Sequence, residues 1–221
     1  MSIAANKASM RFYDGRARLV DRDRLTTYHR RKQEMALSLF PVGPQTRFLD
    51  VGCGTGWAVV EASRRAPQGW ACGVDLSAAM IERARVRSSA TSNLEFRVAD
   101  AECLPYADGY FDCVLCTFSF HHCSGPVRAL AEMRRVLRPA GVLQILETNR
   151  TSFMGAFRLL DSYFKRVRPG HVGYYSREEL LAIVRGAGFE NVRLVAAADE
   201  LFRDGKIFAS YMVVRGKKLG L

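Results

Sequence analysis

Three acidic residues and a short glycine cluster carry the most specific chemistry in this chain of 221 residues. The run Phe48-Leu49-Asp50-Val51-Gly52-Cys53-Gly54-Thr55-Gly56-Trp57 reads as a strand that breaks into glycines and then enters a helix. Glycines at such a turn clear side chains from a ligand's path, and the helix that follows offers free N–H groups to an anion. The spacing departs from the dinucleotide fingerprint G-x-G-x-x-G, because Trp57 stands at the third glycine position. Asp75 ends the strand-like run GWACGVD and Asp100 ends NLEFRVAD. A carboxylate at the tip of the second strand, here Asp75, can accept from both hydroxyls of a ribose. Either acid alone could be a helix N-cap. In an open parallel sheet, however, the carboxyl ends of neighbouring strands face one crevice, so the three elements together describe one nucleoside-binding pocket.

Two histidines, His121 and His122, follow the run YFDCVLCTFSF on the same side, where a near-neutral imidazole could take a proton from a reacting group or could simply shape the turn. Cys113 and Cys116 form a CxxC inside that strand-like run. Residues an odd number apart on a strand point to opposite faces, so the pair is a poor chelator and no metal site is expected. Phe153, Phe157, Leu160 and Phe164 recur at helical spacing with Arg158, Lys165 and Arg166 off that face, a basic amphipathic helix. It reads either as a cap lying on the core or as a lid that also touches anionic membrane. Tyr13, Tyr28, His171, Tyr174 and Tyr175 are candidate pocket linings by placement.

The elements that must position these residues alternate. RFLDVG, GWACGVDL, NLEFRVAD, YFDCVLCTFSF and GVLQILET read as strands, separated by the helical patterns GWAVVEASRRA, SAAMIERARVRS and PVRALAEMRRVLR, the last ended by Pro139 and Gly141. That alternation predicts repeated strand-helix-strand units around a parallel sheet. A helical stretch over 8–40 precedes them, and the helix SREELLAIVRGAG with the strand-like runs FENVRLVAA and KIFASYMVVRG closes the chain. The expected layout is one domain over 1–221: a helical cap at 1–44, a cofactor core at 45–148, a lid or substrate segment at 149–175, and a C-terminal helix with strands at 176–221.

Composition bounds the class. At 48% hydrophobic and 25% charged residues the chain is an ordinary globular protein. Lys and Arg outnumber Asp and Glu by 33 to 22, a formal +11 that favours anionic partners such as nucleic acid, acidic lipid or an anionic cofactor without choosing among them. The start MSIAANKAS lacks the apolar core of a signal peptide, and no apolar run is long enough to cross a bilayer, so a cytoplasmic protein is expected, with peripheral membrane contact one use for the amphipathic helix. Its six cysteines read as thiols rather than disulfides.

DVGCGTG, VDLSAAMIERAR, VADAECLPYADGYFDCV and EMRRVLRPAG, in this order and spacing, resemble the class I methyltransferases, and within them the group of ubiquinone and menaquinone C-methyltransferases, closely over residues 45–147. The resemblance implies a Rossmann-like α/β fold: a mostly parallel seven-stranded sheet into which a last antiparallel strand, here KIFASYMVVRG, inserts. It implies S-adenosylmethionine as cofactor. Gly52, Cys53, Gly54 and Gly56 would hold its methionine part, and Asp50 would orient the loop and meet the amino group. Asp75 would take the ribose hydroxyls, and Asp100 with Ala101 the adenine edge. Leu76 or Met80 would pack on the ring, and Thr117 would lie beside the methionine moiety. The acceptor would be a small or lipid-like molecule, such as a quinone precursor or phospholipid, methylated by in-line displacement. The N-terminal match is incomplete: Tyr13-Asp14 is followed by Gly15-Arg16 where that group carries Met-Asn.

Three other readings compete. A nucleic-acid methyltransferase would fit the charge, yet Thr117-Phe118-Ser119-Phe120 stands where base-methylating enzymes carry Asn or Asp, Pro, Pro and an aromatic. An NAD-dependent oxidoreductase is disfavoured by the glycine spacing and Asp100. A silent nucleoside-binding module would keep the same pocket.

Overall fold

A computed structural model describes residues 10–11, 14–15, 24–149, 173–201 and 208–220. In chain order the elements are α1 (Arg24–Ser38), β1 (Arg47–Val51), α2 (Trp57–Arg65), β2 (Trp70–Asp75), α3 (Ala78–Arg87), β3 (Leu94–Val98), β4 (Phe111–Thr117), a 3-10 turn (Phe120–His122), α4 (Pro126–Val136), β5 (Leu137–Thr148), α5 (Arg177–Gly186), β6 (Phe189–Leu201) and β7 (Phe208–Lys218). The strands form one sheet in the order β3-β2-β1-β4-β5-β7-β6. The first five are parallel, and β7 runs antiparallel between β5 and β6. The final strand therefore inserts as expected. The order turns back at β1, with β2 on one side and β4 on the other, and ligands of open α/β sheets bind at such a switch point, outside the carboxyl ends of the strands.

Both faces of the sheet are covered, which is why the central strands are apolar on both sides. On one face Phe48, Ala71, Cys113 and Leu115 pack against Leu37 of α1, Val59 and Ala62 of α2, and Ile81 and Ala84 of α3. On the other, Leu49, Val74, Val114, Cys116 and Ile145 pack against Leu130 and Met133 of α4 and Leu180 and Val184 of α5. Cys113 and Cys116 thus lie on opposite faces, as their spacing predicts.

Helix termini follow local chemistry. The Ser77 hydroxyl caps α3 by accepting from the Met80 N–H, Pro126 opens α4, and Ser176 with Glu179 forms a reciprocal capping box on α5. One boundary differs from the sequence reading. The helix over PVRALAEMRRVLR ends at Val136, and the fifth strand begins at Leu137 rather than Gly141. Leu137 already pairs with Phe111; Ala140, at φ 63, then lets the register jump so that Val142 pairs with Cys113. Arg138 precedes Pro139 and is biased to extended backbone, so the chain passes straight from helix to strand through a bulge. Among the described residues no helix is long and apolar enough to cross a membrane.

Candidate functional site

The carboxyl ends of β1, β2 and β3 are tied into one rim. The N–H groups of Gly52 and Cys53 both donate to the Val74 carbonyl, at 2.8 and 2.9 Å, and the Ala99 N–H donates to the Asp75 carbonyl at 3.0 Å. Gly52, Gly54 and Gly56 all have positive φ. A Cβ on Gly52 would lie 1.8 Å from Ser119 Oγ, whereas one on Gly54 would meet nothing within 4 Å. The first glycine thus lets the loop press on the turn after β4, and the second leaves an open backbone face.

Asp50 lies under this loop, fully buried, with no hydrogen-bond partner among the described residues for either carboxylate oxygen. Burial, reinforced by the neighbouring Asp75 charge, raises its pKa to about 8. A buried carboxylate without partners is costly unless a cation or donor reaches it. Beneath an open glycine loop, this one fits the ammonium group of an amino-acid ligand.

Asp75 is fixed by two amides: its Oδ2 accepts from Gly54 N–H at 2.8 Å and its Oδ1 from Ser77 N–H at 2.9 Å. Ser77, not Asp75, is the N-cap of α3, so the capping alternative fails for this acid. Burial raises the Asp75 pKa against those two amides, and nearby Asp14 adds to the rise. Asp14 belongs to the N-terminal segment and accepts from the Ser77 hydroxyl and, at 3.3 Å, from Ala79 N–H. Asp100 accepts from Glu102 N–H at 3.0 Å in a local turn rather than at a helix start. Ala101 and Leu76 are half-buried, and Met80 and Cys53 are buried.

Thr117, at the end of β4, accepts a hydrogen bond from the Gln33 side chain of α1 at 2.9 Å. The same end of α1 brings His29 onto Phe118, rings stacked at 4.6 Å, and buried Tyr28 within 6.1 Å of Phe118; Lys32 lies 4.2 Å above the Tyr211 ring. Phe118 itself has φ 49, a left-handed conformation unusual for a bulky side chain and found where a strand turns sharply at a site.

Past Phe118 the chain forms the turn that carries the two histidines. His121 is buried, and its Nδ1 lies 2.8 and 3.1 Å from the two carboxylate oxygens of Glu147, at the end of β5. Glu147 is fully buried; its Oε1 also accepts from His121 N–H at 3.2 Å and its Oε2 from Thr148 N–H at 3.1 Å. Burial raises its pKa to about 7, against the lowering effect of these amides and of His122. The His121 ring lies between His122, at 4.0 Å, and Tyr174, at 4.9 Å.

Asp50, the glycines, Asp75, Asp100, Thr117, His121, His122, Tyr28 and Tyr174 therefore all lie at or beside one end of the sheet. Tyr13, Phe157 and His171 fall outside the described residues, as does the helical pattern over 153–166. Four participants were missing from the sequence reading: Glu147, Gln33, Asp14 and Ser119. Only Glu147 carried a signal, being an acid at a parallel strand's carboxyl end, the rule that selected Asp75 and Asp100.

Comparison with known proteins bears on the family and the fold. Residues 49–145 match the family model described as a methyltransferase domain. A demethylmenaquinone methyltransferase of Staphylococcus aureus is 31% identical over 168 residues, covering 67% of this chain and 70% of the relative. Among solved structures, an S-adenosylmethionine-dependent methyltransferase of Thermotoga maritima superposes with a TM-score of 0.69 at 25% identity, over 92% of this chain and 98% of the other. The phosphoethanolamine N-methyltransferase 2 of Haemonchus contortus, solved with S-adenosylhomocysteine, shares the fold with a TM-score of 0.68 at 17% identity, over 86% of this chain and 53% of the other. The chain belongs to the class I S-adenosylmethionine-dependent methyltransferases.

Proposed function

We propose that this methyltransferase acts on a small or lipid-like acceptor of the quinone-precursor or phospholipid kind, and that the residues at the carboxyl end of the sheet hold the cofactor as follows. Asp50 receives the ammonium group of the methionine part across the loop Gly52-Cys53-Gly54-Thr55-Gly56. Asp75, already oriented by two amides, keeps its remaining acceptor capacity for the ribose hydroxyls. Asp100 and Ala101 receive the adenine edge, with Leu76 and Met80 beside the ring and Thr117 at the sulfur end. The observation that carries this reading is the pair of buried, partnerless oxygens of Asp50 next to the open face of Gly54.

When bound, the cofactor supplies a methyl group that is already electrophilic. The chain's own work is to hold an acceptor nucleophile in line with that carbon and to exclude water. Tyr28, Phe118 and Tyr174 offer aromatic surface at this end, suited to a flat or apolar acceptor. The demethylmenaquinone methyltransferase relationship points the same way. His121 and His122 are the candidate proton acceptors. We take the cap over 1–44 and the segment over 149–175 as the parts that select the acceptor, the latter with Phe157 and His171, and an amphipathic 153–166 as the route to peripheral membrane contact.

Two measurements test this. Asp75→Ala should weaken binding of S-adenosylhomocysteine at least ten-fold by calorimetry, about 1.4 kcal/mol, as expected for losing charge-assisted hydrogen bonds; unchanged affinity would refute the placement. A homocysteine-release screen should give turnover with quinol precursors or phospholipid head groups, and turnover confined to RNA would overturn the acceptor class.

A further inference from the structure

We infer that Asp14 is a second carboxylate of the nucleoside site, standing with Asp75 so that each acid takes one hydroxyl of a ribose cis-diol, and that the pair selects for an unmodified diol. The inference rests on the cofactor reading of the site. Asp14 is 63 residues from Ser77 and 65 from Ala79, yet its Oδ1 accepts from the Ser77 hydroxyl and, at 3.3 Å, from the Ala79 N–H. Ser77 is also the N-cap of α3, accepting from Met80 N–H at 3.2 Å, and its own N–H donates to Asp75 Oδ1 at 2.9 Å. One serine thus ties both acids to the first turn of α3. A carboxylate is favoured there, because the free amides and the dipole of a helix start stabilise negative charge.

Asp75 alone is short of acceptor positions for a diol. A carboxylate offers about four lone-pair sites. Three backbone amides already stabilise the Asp75 charge, those of Ser77, Gly54 and Leu76, which leaves about one site for a ligand. A ribose brings two hydroxyl donors on neighbouring carbons. Both bonds to Asp14 fall on Oδ1, and its Oδ2 has no bond among the described residues. Asp14 Oδ2 supplies the second acceptor.

The charges turn this pairing into a preference. Burial holds the Asp75 carboxyl above its ordinary range, and the Asp14 charge adds to that rise, so the two acids are near enough to repel. Hydroxyl protons donated to both acids offset the repulsion. A phosphate on either hydroxyl adds a further negative charge instead, and removing a hydroxyl leaves one acid without its donor. A carboxylate that only capped α3 would serve every ligand alike, whether the diol is intact or not.

Calorimetry on the full chain with S-adenosylhomocysteine and its 2′-deoxy and 3′-deoxy analogues tests this. The wild type should bind each analogue at least about three-fold more weakly than the intact ligand, and an analogue that binds as tightly overturns the inference without any variant. Asp14→Asn keeps an oxygen for the Ser77 and Ala79 donors while losing the charge. It should weaken the intact ligand about ten-fold but should change the affinity for one analogue, the one lacking the hydroxyl that Asp14 receives, by no more than about three-fold. In Asp75→Ala the other analogue should be the insensitive one. An affinity for the intact ligand within about two-fold of wild type in Asp14→Asn, or an equal loss for all three ligands, leaves Asp14 a helix cap and overturns the inference. A wild type that fails to bind S-adenosylhomocysteine at all would instead sink the cofactor reading.

Discussion

Cofactor affinity should depend on pH through Asp50. In the free protein burial and the nearby Asp75 charge hold this carboxyl protonated up to about pH 8. To receive an ammonium group it must ionise, so binding below that pH expels a proton. With the carboxyl titrating at about 8, the population ready to bind is reduced about 100-fold at pH 6 and about 4-fold at pH 7.5. The apparent Kd for S-adenosylhomocysteine should therefore tighten by roughly 25-fold over this interval, about 2 kcal/mol. Calorimetry at pH 7 in buffers of different ionisation enthalpy should find roughly 0.9 proton released per ligand bound. Stability without ligand takes the opposite sign. The native state holds a proton that the unfolded chain loses at its ordinary carboxyl pKa of 3.8, so the native contribution of Asp50 declines as pH rises from about 4 to 8, and ligand binding offsets that decline. Asp50→Asn should bind more weakly with no proton release and a flat pH dependence. A wild-type Kd that stays constant from pH 6 to 7.5, or an identical slope in Asp50→Asn, would refute the reasoning.

Gly56→Ala should cost the fold about 2–4 kcal/mol in denaturant unfolding, since its Cβ would sit 2.5 Å from Phe96 Cζ and 2.9 Å from Ala84 Cβ at φ +78. Gly54→Ala, with open space around the added carbon, should cost only about 1–2 kcal/mol of backbone strain while impairing ligand binding more than Gly56→Ala does in the fraction still folded; equal unfolding costs would contradict this division. Arg135→Ala removes a guanidinium bonded to Glu132, Asp108 and the carbonyls of Leu104 and Tyr106, so it should lower unfolding stability by about 1–3 kcal/mol and leave S-adenosylhomocysteine affinity unchanged. Gln33→Ala frees the hydroxyl of Thr117 from α1, and loosened packing there should raise KM for the acceptor more than it changes cofactor affinity; the reverse pattern would place α1 over the cofactor.

The sequence by itself determined the strand-helix alternation, the glycine turn and the acids at the strand tips, because these depend on periodicity and on local rules for what a strand end can hold. The insertion of β7 was legible only through family resemblance, since KIFASYMVVRG has no local feature that selects an antiparallel neighbour. Tertiary structure decided the rest. The start of β5 at Leu137 depended on a pairing with Phe111 that cannot be read from residues 126–148 alone. Asp50 is left partnerless by packing from several elements, whereas its sequence context shows only an acid before glycines. Glu147 and His121 lie 26 residues apart, and Gln33 and Thr117 lie 84 apart. Such pairs meet because parallel strands bring their carboxyl ends to one edge and α1 folds back over it, so the sequence could name the acids and histidines but only the fold could say which of them face each other.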